Sequence, residues 1–165
     1  MTVQNAFTTE EWTLLRSLPS LVSSSVSAAD PSGIIGSIKE ASAGMMGMIK
    51  SLKEGTNIEL LKAIANDKSI PGMPDVKAML GEGAREQQLA NLRSAVLSRI
   101  TEAVDLLSRK ATPDEIRAYK QMVMVVADKA ANASKEGGFL GFGGVRVSNA
   151  EQSFLNEVKG ALKLS

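Results

Sequence analysis

The stretch LANLRSAVLSRITEAVDLL, residues 89–107, repeats its apolar residues at helical spacing. Leu89, Leu92, Val96, Ile100, Ala103, Val104 and Leu107 step by three and four, which puts them on one face of a long helix. Arg85, Arg93, Arg99 and Glu102 fall elsewhere on the wheel. No segment of the chain alternates apolar and polar residues with period two, so strands are not expected.

Working outward, the same pattern recurs on both sides. Downstream, Thr112-Pro113-Asp114-Glu115 is a capping box with proline at the first helical position. It opens a helix through Ile116, Tyr119, Met122, Val123, Val126, Ala130 and Ala133. A further box, Ser148 to Glu151, starts a last helix presenting Phe154, Leu155, Val158, Ala161 and Leu162. Upstream, the segment NDKSIPGMPDVKAMLGEGAR reads as a connector with one helical turn in PDVKAML. A short helix is expected around Ile58, Leu61 and Ile64, ending by Asn66.

Near the start, Thr8 and Glu11 form another capping box, with Phe7 and Trp12 spaced as a hydrophobic staple. The apolar series Trp12, Leu15, Leu18, Val22, Val26 and Ala29 follows, and Pro19 predicts a kink or a break. Asp30-Pro31 then starts a helix whose expected buried face is Ile34, Ile35, Ile38, Ala41, Met45, Ile49 and Leu52. Gly36, Gly44 and Gly47 lie within it and permit close approach of a neighbour, and Gly55 ends it. The expectation is an all-α, single-domain bundle of about six helices over residues 1–165. Trp12, Leu15, Leu18, Val22 and Val26 match Ile116, Tyr119, Met122, Val126 and Ala130 in register, as a pseudo-two-fold repeat of helix hairpins would.

Composition excludes much chemistry. The 165 residues contain no histidine and no cysteine. Thiol nucleophiles, disulfides, zinc–thiolate sites and Ser-His-Asp catalysis are therefore ruled out. Ser23, Ser24 and Ser25 lie on what reads as a polar face and have no activating base. The net charge of +1 provides no long-range field for nucleic acid or an anionic membrane. The first residues, MTVQNAFTTEEW, lack the basic and apolar regions of a signal peptide, and a cytoplasmic location is the expectation. No cofactor is expected, and a non-enzymatic role is favoured over an enzymatic one.

The stretch KEGGFLGFGGVRVSNAE, residues 135–151, is an insertion relative to the tight AADPSG turn of the first hairpin. It carries two of the four phenylalanines, Phe139 and Phe142. Folded back, Phe139, Leu140 and Phe142 would plug the end of the bundle. Exposed, they would form a docking surface for a protein partner or a second copy, flanked by Arg146. A phosphate-binding turn lacks its preceding strand and its Gly-Lys-Ser/Thr. A second candidate is a groove for an apolar ligand among the methionine-rich helices, lined by Met45, Met48 and Met122. The carboxylate pairs Glu82/Glu86 and Glu102/Asp105 share helix faces but sit among arginines, as solvated surfaces do.

The phrases EEWTLLRSLPSLV…AADPSG and GGFLGFGGVRVSNAE resemble the two ends of a group of small bacterial all-helical proteins with no assigned activity. The doubled hairpin is similar to the tellurite-resistance TerB-like helical fold, which places acidic residues near its inter-helix turns. Asp30 occupies such a place here, but the matching place in the second half holds Ser134, so the resemblance brings no metal site with it. The resulting expectation is a bacterial protein acting by protein–protein contact through the Gly/Phe loop, with a homodimer among the forms that contact takes. An apolar-ligand binder is the alternative, and a TerB-like acidic metal-binding stress protein is third.

Overall fold

The computed structural model describes residues 3–28, 46–55, 57–70, 75–133, 147 and 149–164. A 3₁₀ turn at Val3–Ala6 precedes α1 (Thr9–Ala28). Then come α2 (residues 46–54), α3 (Glu59–Asn66), α4 (Val76–Leu80), α5 (Arg85–Lys110), α6 (Pro113–Ala133) and α7 (Asn149–Ala161). No strand occurs among the described residues, and the fold is an all-α bundle.

The core is built by α1, α5, α6 and α7. Helix α1 packs against α6 and α5, while α7 touches all three. The α5 stripe read from sequence is buried from Leu92 on, through Val96, Ile100, Ala103, Val104 and Leu107, with Leu106 added, while Leu89 is only half-buried and outside the core cluster. Leu15, Leu18, Val22 and Val26 of α1 face Tyr119, Met122 and Val123 of α6 within the same cluster. The short α3 supplies Leu60, Leu61 and Ile64 to it and packs on α6. Helix α4 lies on α5, capped by Asp75, whose Oδ1 accepts the Ala78 N–H at 3.0 Å.

Two capping boxes close as expected. The Thr8 N–H donates to Glu11 Oε2 at 2.7 Å, and the Glu11 N–H donates to Thr8 Oγ1 at 3.2 Å. The Thr112 N–H donates to Glu115 Oε2 at 2.9 Å, and the Glu115 N–H donates to Thr112 Oγ1 at 3.4 Å. The staple also forms, with the Phe7 and Trp12 ring centroids 5.9 Å apart. Of the third box, Ser148 lies outside the described residues.

Three expectations change. First, α1 is not broken at Pro19. Proline has no N–H, so the Leu15 carbonyl loses its helical donor four residues on. The Tyr119 hydroxyl supplies that bond instead, donating to Leu15 O at 2.7 Å inside the core. Second, Ile49 is not on the buried face. The inner side of α2 is Gly47, Met48, Ser51 and Leu52, and Ile49 is 47% exposed. Third, the serine run is not a polar face: Ser24 is exposed, but Ser23 and Ser25 are buried. Ser25 Oγ donates to Leu21 O at 2.8 Å.

Five α1 positions and four of the five matched α6 positions are buried, Ile116 being half-buried. Two core-facing helices give that result with or without a duplication. The helix expected after Asp30-Pro31 is described only from residue 46 on, so the hairpin comparison ends there.

Candidate functional site

An open groove runs between α6 and the corner where α2 turns into α3. Its construction follows from two glycines. At Gly47 the backbone of α2 comes so close to α6 that a Cβ would stand 3.1 Å from Lys129 Cγ and 3.5 Å from Val125 Cγ1. At the other end Gly55 stops α2, its N–H donating to Ser51 O at 2.9 Å, and Ile58 N–H then donates to Gly55 O at 2.9 Å. A Cβ at Gly55 would sit 2.4 Å from Leu61 Cδ1, so the corner is tight. Between this corner and α6 lies a cavity of about 810 Å³.

Its α6 wall is a stripe with helical spacing: Asp114, Arg117 and Ala118, Gln121, Val125 and Asp128. Ile58, Leu61, Met122, Met124 and Leu164 supply apolar surface, and Glu54 adds a third carboxylate from α2. The rim is thus acidic, with Arg117 its sole cation among the described residues. Arg117 already pairs with Asp114 at 3.0 Å, and Glu54 pairs with Lys50 at 3.6 Å. The Asp128 carboxylate has no partner among the described residues. It keeps an exposed edge, yet the adjoining wall desolvates it and pushes its pKa up from the ordinary aspartate value. Cationic company would lower that cost. An apolar floor beneath an acidic rim can hold an apolar segment that carries basic groups.

The residues picked out by sequence separate here. Met122 is 1% exposed and lines the groove from the core side. Met48 is half-buried and packs on the core, away from the groove wall. Met45 lies outside the described residues, as do Phe139, Leu140, Phe142 and Arg146 of the Gly/Phe loop, and Asp30 and Ser134 of the TerB-like comparison. The carboxylate pairs are surface: Glu102 pairs with Arg99 at 3.0 Å and Asp105 with Lys163 at 3.1 Å, while Glu82 and Glu86 are exposed. No group of three or more acidic side chains that could hold a metal ion occurs among the described residues. No helix among them is long and apolar enough to cross a membrane.

Gln121 and Asp128 carried no signal in the sequence, because they lie on the polar side of α6 and read as solvated surface. A second cluster was also silent. Arg16, 8% exposed, reaches from α1 across to the end of α3. It pairs with Asp67 Oδ2 at 3.1 Å and donates to Ser69 Oγ at 2.8 Å, to Asp67 O at 3.0 Å and to Ser69 O. Trp12 Nε1 donates to Asp67 Oδ2 at 2.8 Å. Both terminal guanidinium nitrogens and both carboxylate oxygens are met within the cluster, which makes it a clamp between α1 and α3.

The clamp has a pH signature. The Ser69 hydroxyl, the Trp12 N–H, the Ser69 N–H and the Arg16 charge together hold Asp67 at a pKa of about 2, below its ordinary 3.8. A depressed carboxylate stabilises the fold fully above 3.8, and that stability is lost as pH falls toward 2. Glu11, lowered by its bond from Lys110, acts in the same direction. The melting temperature should therefore fall steeply between about pH 4 and pH 2. Asp67→Asn should melt lower at pH 7 and show a shallower acid slope. Parallel curves for the two proteins would remove Asp67 from the clamp.

No protein-family model, no curated protein and no solved structure matches the chain.

Proposed function

We propose that the chain is a non-enzymatic bacterial cytoplasmic protein that works by protein–protein contact, and that the groove between α6 and the α2–α3 corner is the contact surface. One observation carries the reading: an open groove of about 810 Å³ with apolar lining, rimmed by Glu54, Asp114 and Asp128. The absence of histidine and cysteine from the sequence favours binding over catalysis. An open groove along a helix suits a segment of protein chain better than a small molecule, which usually needs most of its surface enclosed. The apolar-ligand reading keeps one supporting observation, the presence of Met122 and Met124 on the groove wall.

The test is recovery of partners by the tagged chain from its own cells. Gln121→Arg with Asp128→Lys fills the groove and reverses its rim, at two exposed positions. The expected result is a protein retained by the wild type and lost by this variant, with the melting temperature moved by no more than a few degrees. Phe139→Ser with Phe142→Ser tests the Gly/Phe loop in parallel, and on this reading it keeps the partner. Equal retention by the groove variant overturns the proposal. A small molecule carried by the wild type alone in native mass spectrometry would favour the ligand reading instead.

A further inference from the structure

We infer that the groove's occupant is a second copy of this chain, which docks the outward face of its α2 there. The inference rests on the groove being a contact surface and names its partner. Among the described residues, the large apolar side chains left exposed are Met46, Ile49 and Ile70. Met46 (71% exposed) and Ile49 (47%) stand three residues apart, on one face of α2. Lys50 and Lys53 lie on that same outward face, and both are exposed. Lys53 has no ion-pair partner among the described residues, and Lys50 has only the loose contact with Glu54 at 3.6 Å. The face is therefore apolar and basic.

The groove beside it is apolar and acidic, with Glu54, Asp114 and Asp128 on its rim against Arg117. Lys129 lies at the Gly47 contact and not on the groove wall. The two surfaces complement each other in charge and in apolar content. Within one molecule they touch only where Lys50 meets Glu54 at 3.6 Å, and Met46, Ile49 and Lys53 are not on the groove wall. Across a two-fold axis they can meet twice, stripe to groove and groove to stripe, which is the self-complementary arrangement of a symmetric dimer. The unpartnered Asp128 carboxylate and the unpartnered Lys53 would each gain a counter-charge.

A stripe of four side chains per copy is a small contact. The dimer should therefore be weak, with a dissociation constant on the order of 100 μM, and should weaken further with salt.

The experiment is sedimentation velocity on the full chain with two charge-reversed variants. In Lys50→Glu/Lys53→Glu both stripe and groove are negative. In Glu54→Lys/Asp128→Lys both are positive. All four positions are exposed, so folding should be kept, and each variant's melting temperature checks this. The wild type should dimerise with concentration, and each variant alone should associate at least about tenfold more weakly. An equimolar mixture of the two should recover the dimer, because each stripe then meets a groove of opposite charge. A third variant, Met46→Ser/Ile49→Ser, should be monomeric. A wild type that stays monomeric to about 1 mM overturns the inference, since that is well above the expected constant. So does a wild-type dimer that both charge variants leave unchanged. If the tagged chain meanwhile retains a different protein through the groove, the contact reading stands and only the identity of the partner falls.

Discussion

Phe154→Ala should cost about 3–5 kcal/mol of stability, the usual loss for truncating a fully buried phenylalanine. Phe154 is 1% exposed and is the largest apolar side chain that α7 contributes to the core. Its ring lies under the Arg93 guanidinium, 5.4 Å from carbon to centroid. Arg93 in turn donates to Glu157 at 2.6 and 2.5 Å and to Ser153 at 2.9 Å, fastening α5 to α7 from outside. The two effects differ greatly in size. The exposed Arg93–Glu157 pair and the cation–π contact together should contribute only about 1 kcal/mol, so Arg93→Ala is mild. Denaturant unfolding of both variants measures the difference. A loss below about 1 kcal/mol for Phe154→Ala would mean that α7 does not dock where the structure puts it.

Tyr119→Phe should cost about 1–3 kcal/mol, although it removes one oxygen and leaves the packing intact. The reason lies 104 residues away, in a helix that contains a proline. Pro19 leaves the Leu15 carbonyl without its helical donor, and the Tyr119 hydroxyl replaces it. Without the hydroxyl, that carbonyl is buried and unpaired. Pro19→Ala restores an N–H four residues from Leu15, so Tyr119→Phe should there cost much less, with a coupling energy of about 1 kcal/mol or more. Additive losses would show that the hydroxyl does not serve the proline gap. Burial also raises the Tyr119 pKa above its ordinary 10.0. The native phenol then keeps its proton where the unfolded one releases it, so stability should decline as pH rises above 10. In Tyr119→Phe that alkaline decline should be shallower.

Much of the scaffold was legible because it is local. Residues 89–107 stated their own periodicity, and the Thr8/Glu11 and Thr112/Glu115 boxes marked where helices begin. These signals operate within four residues and survive whatever the tertiary context does. What escaped is non-local. The Arg16–Asp67 clamp joins residues 51 apart, and no spacing rule links them. Pro19 predicted a kink or a break, and nothing local to it announces that Tyr119 on a facing helix meets the carbonyl it leaves open. Ile49 looked like core because isoleucine usually is, but Gly47 brought the opposite side of α2 against α6 and turned Ile49 outward.

The candidate site was the least legible part, for a physical reason. Its α6 wall of Asp114, Arg117, Gln121 and Asp128 has the composition of a solvated helix face. What distinguishes it is the tight corner at Gly55, which raises a second wall opposite. Of the ligand-groove candidates Met45, Met48 and Met122, Met122 is the one that lines it, and Met45 lies outside the described residues.

The most direct test of the groove as a contact surface is a photo-crosslinking residue placed at Gln121, on its wall, and separately at Glu102, an exposed position on α5. Both proteins are irradiated in their own cells and the adducts are weighed. The account predicts a discrete protein adduct from position 121 and none from position 102, and an adduct of twice the chain mass identifies a second copy. An absence of any adduct from 121, or the same adducts from both positions, would contradict it.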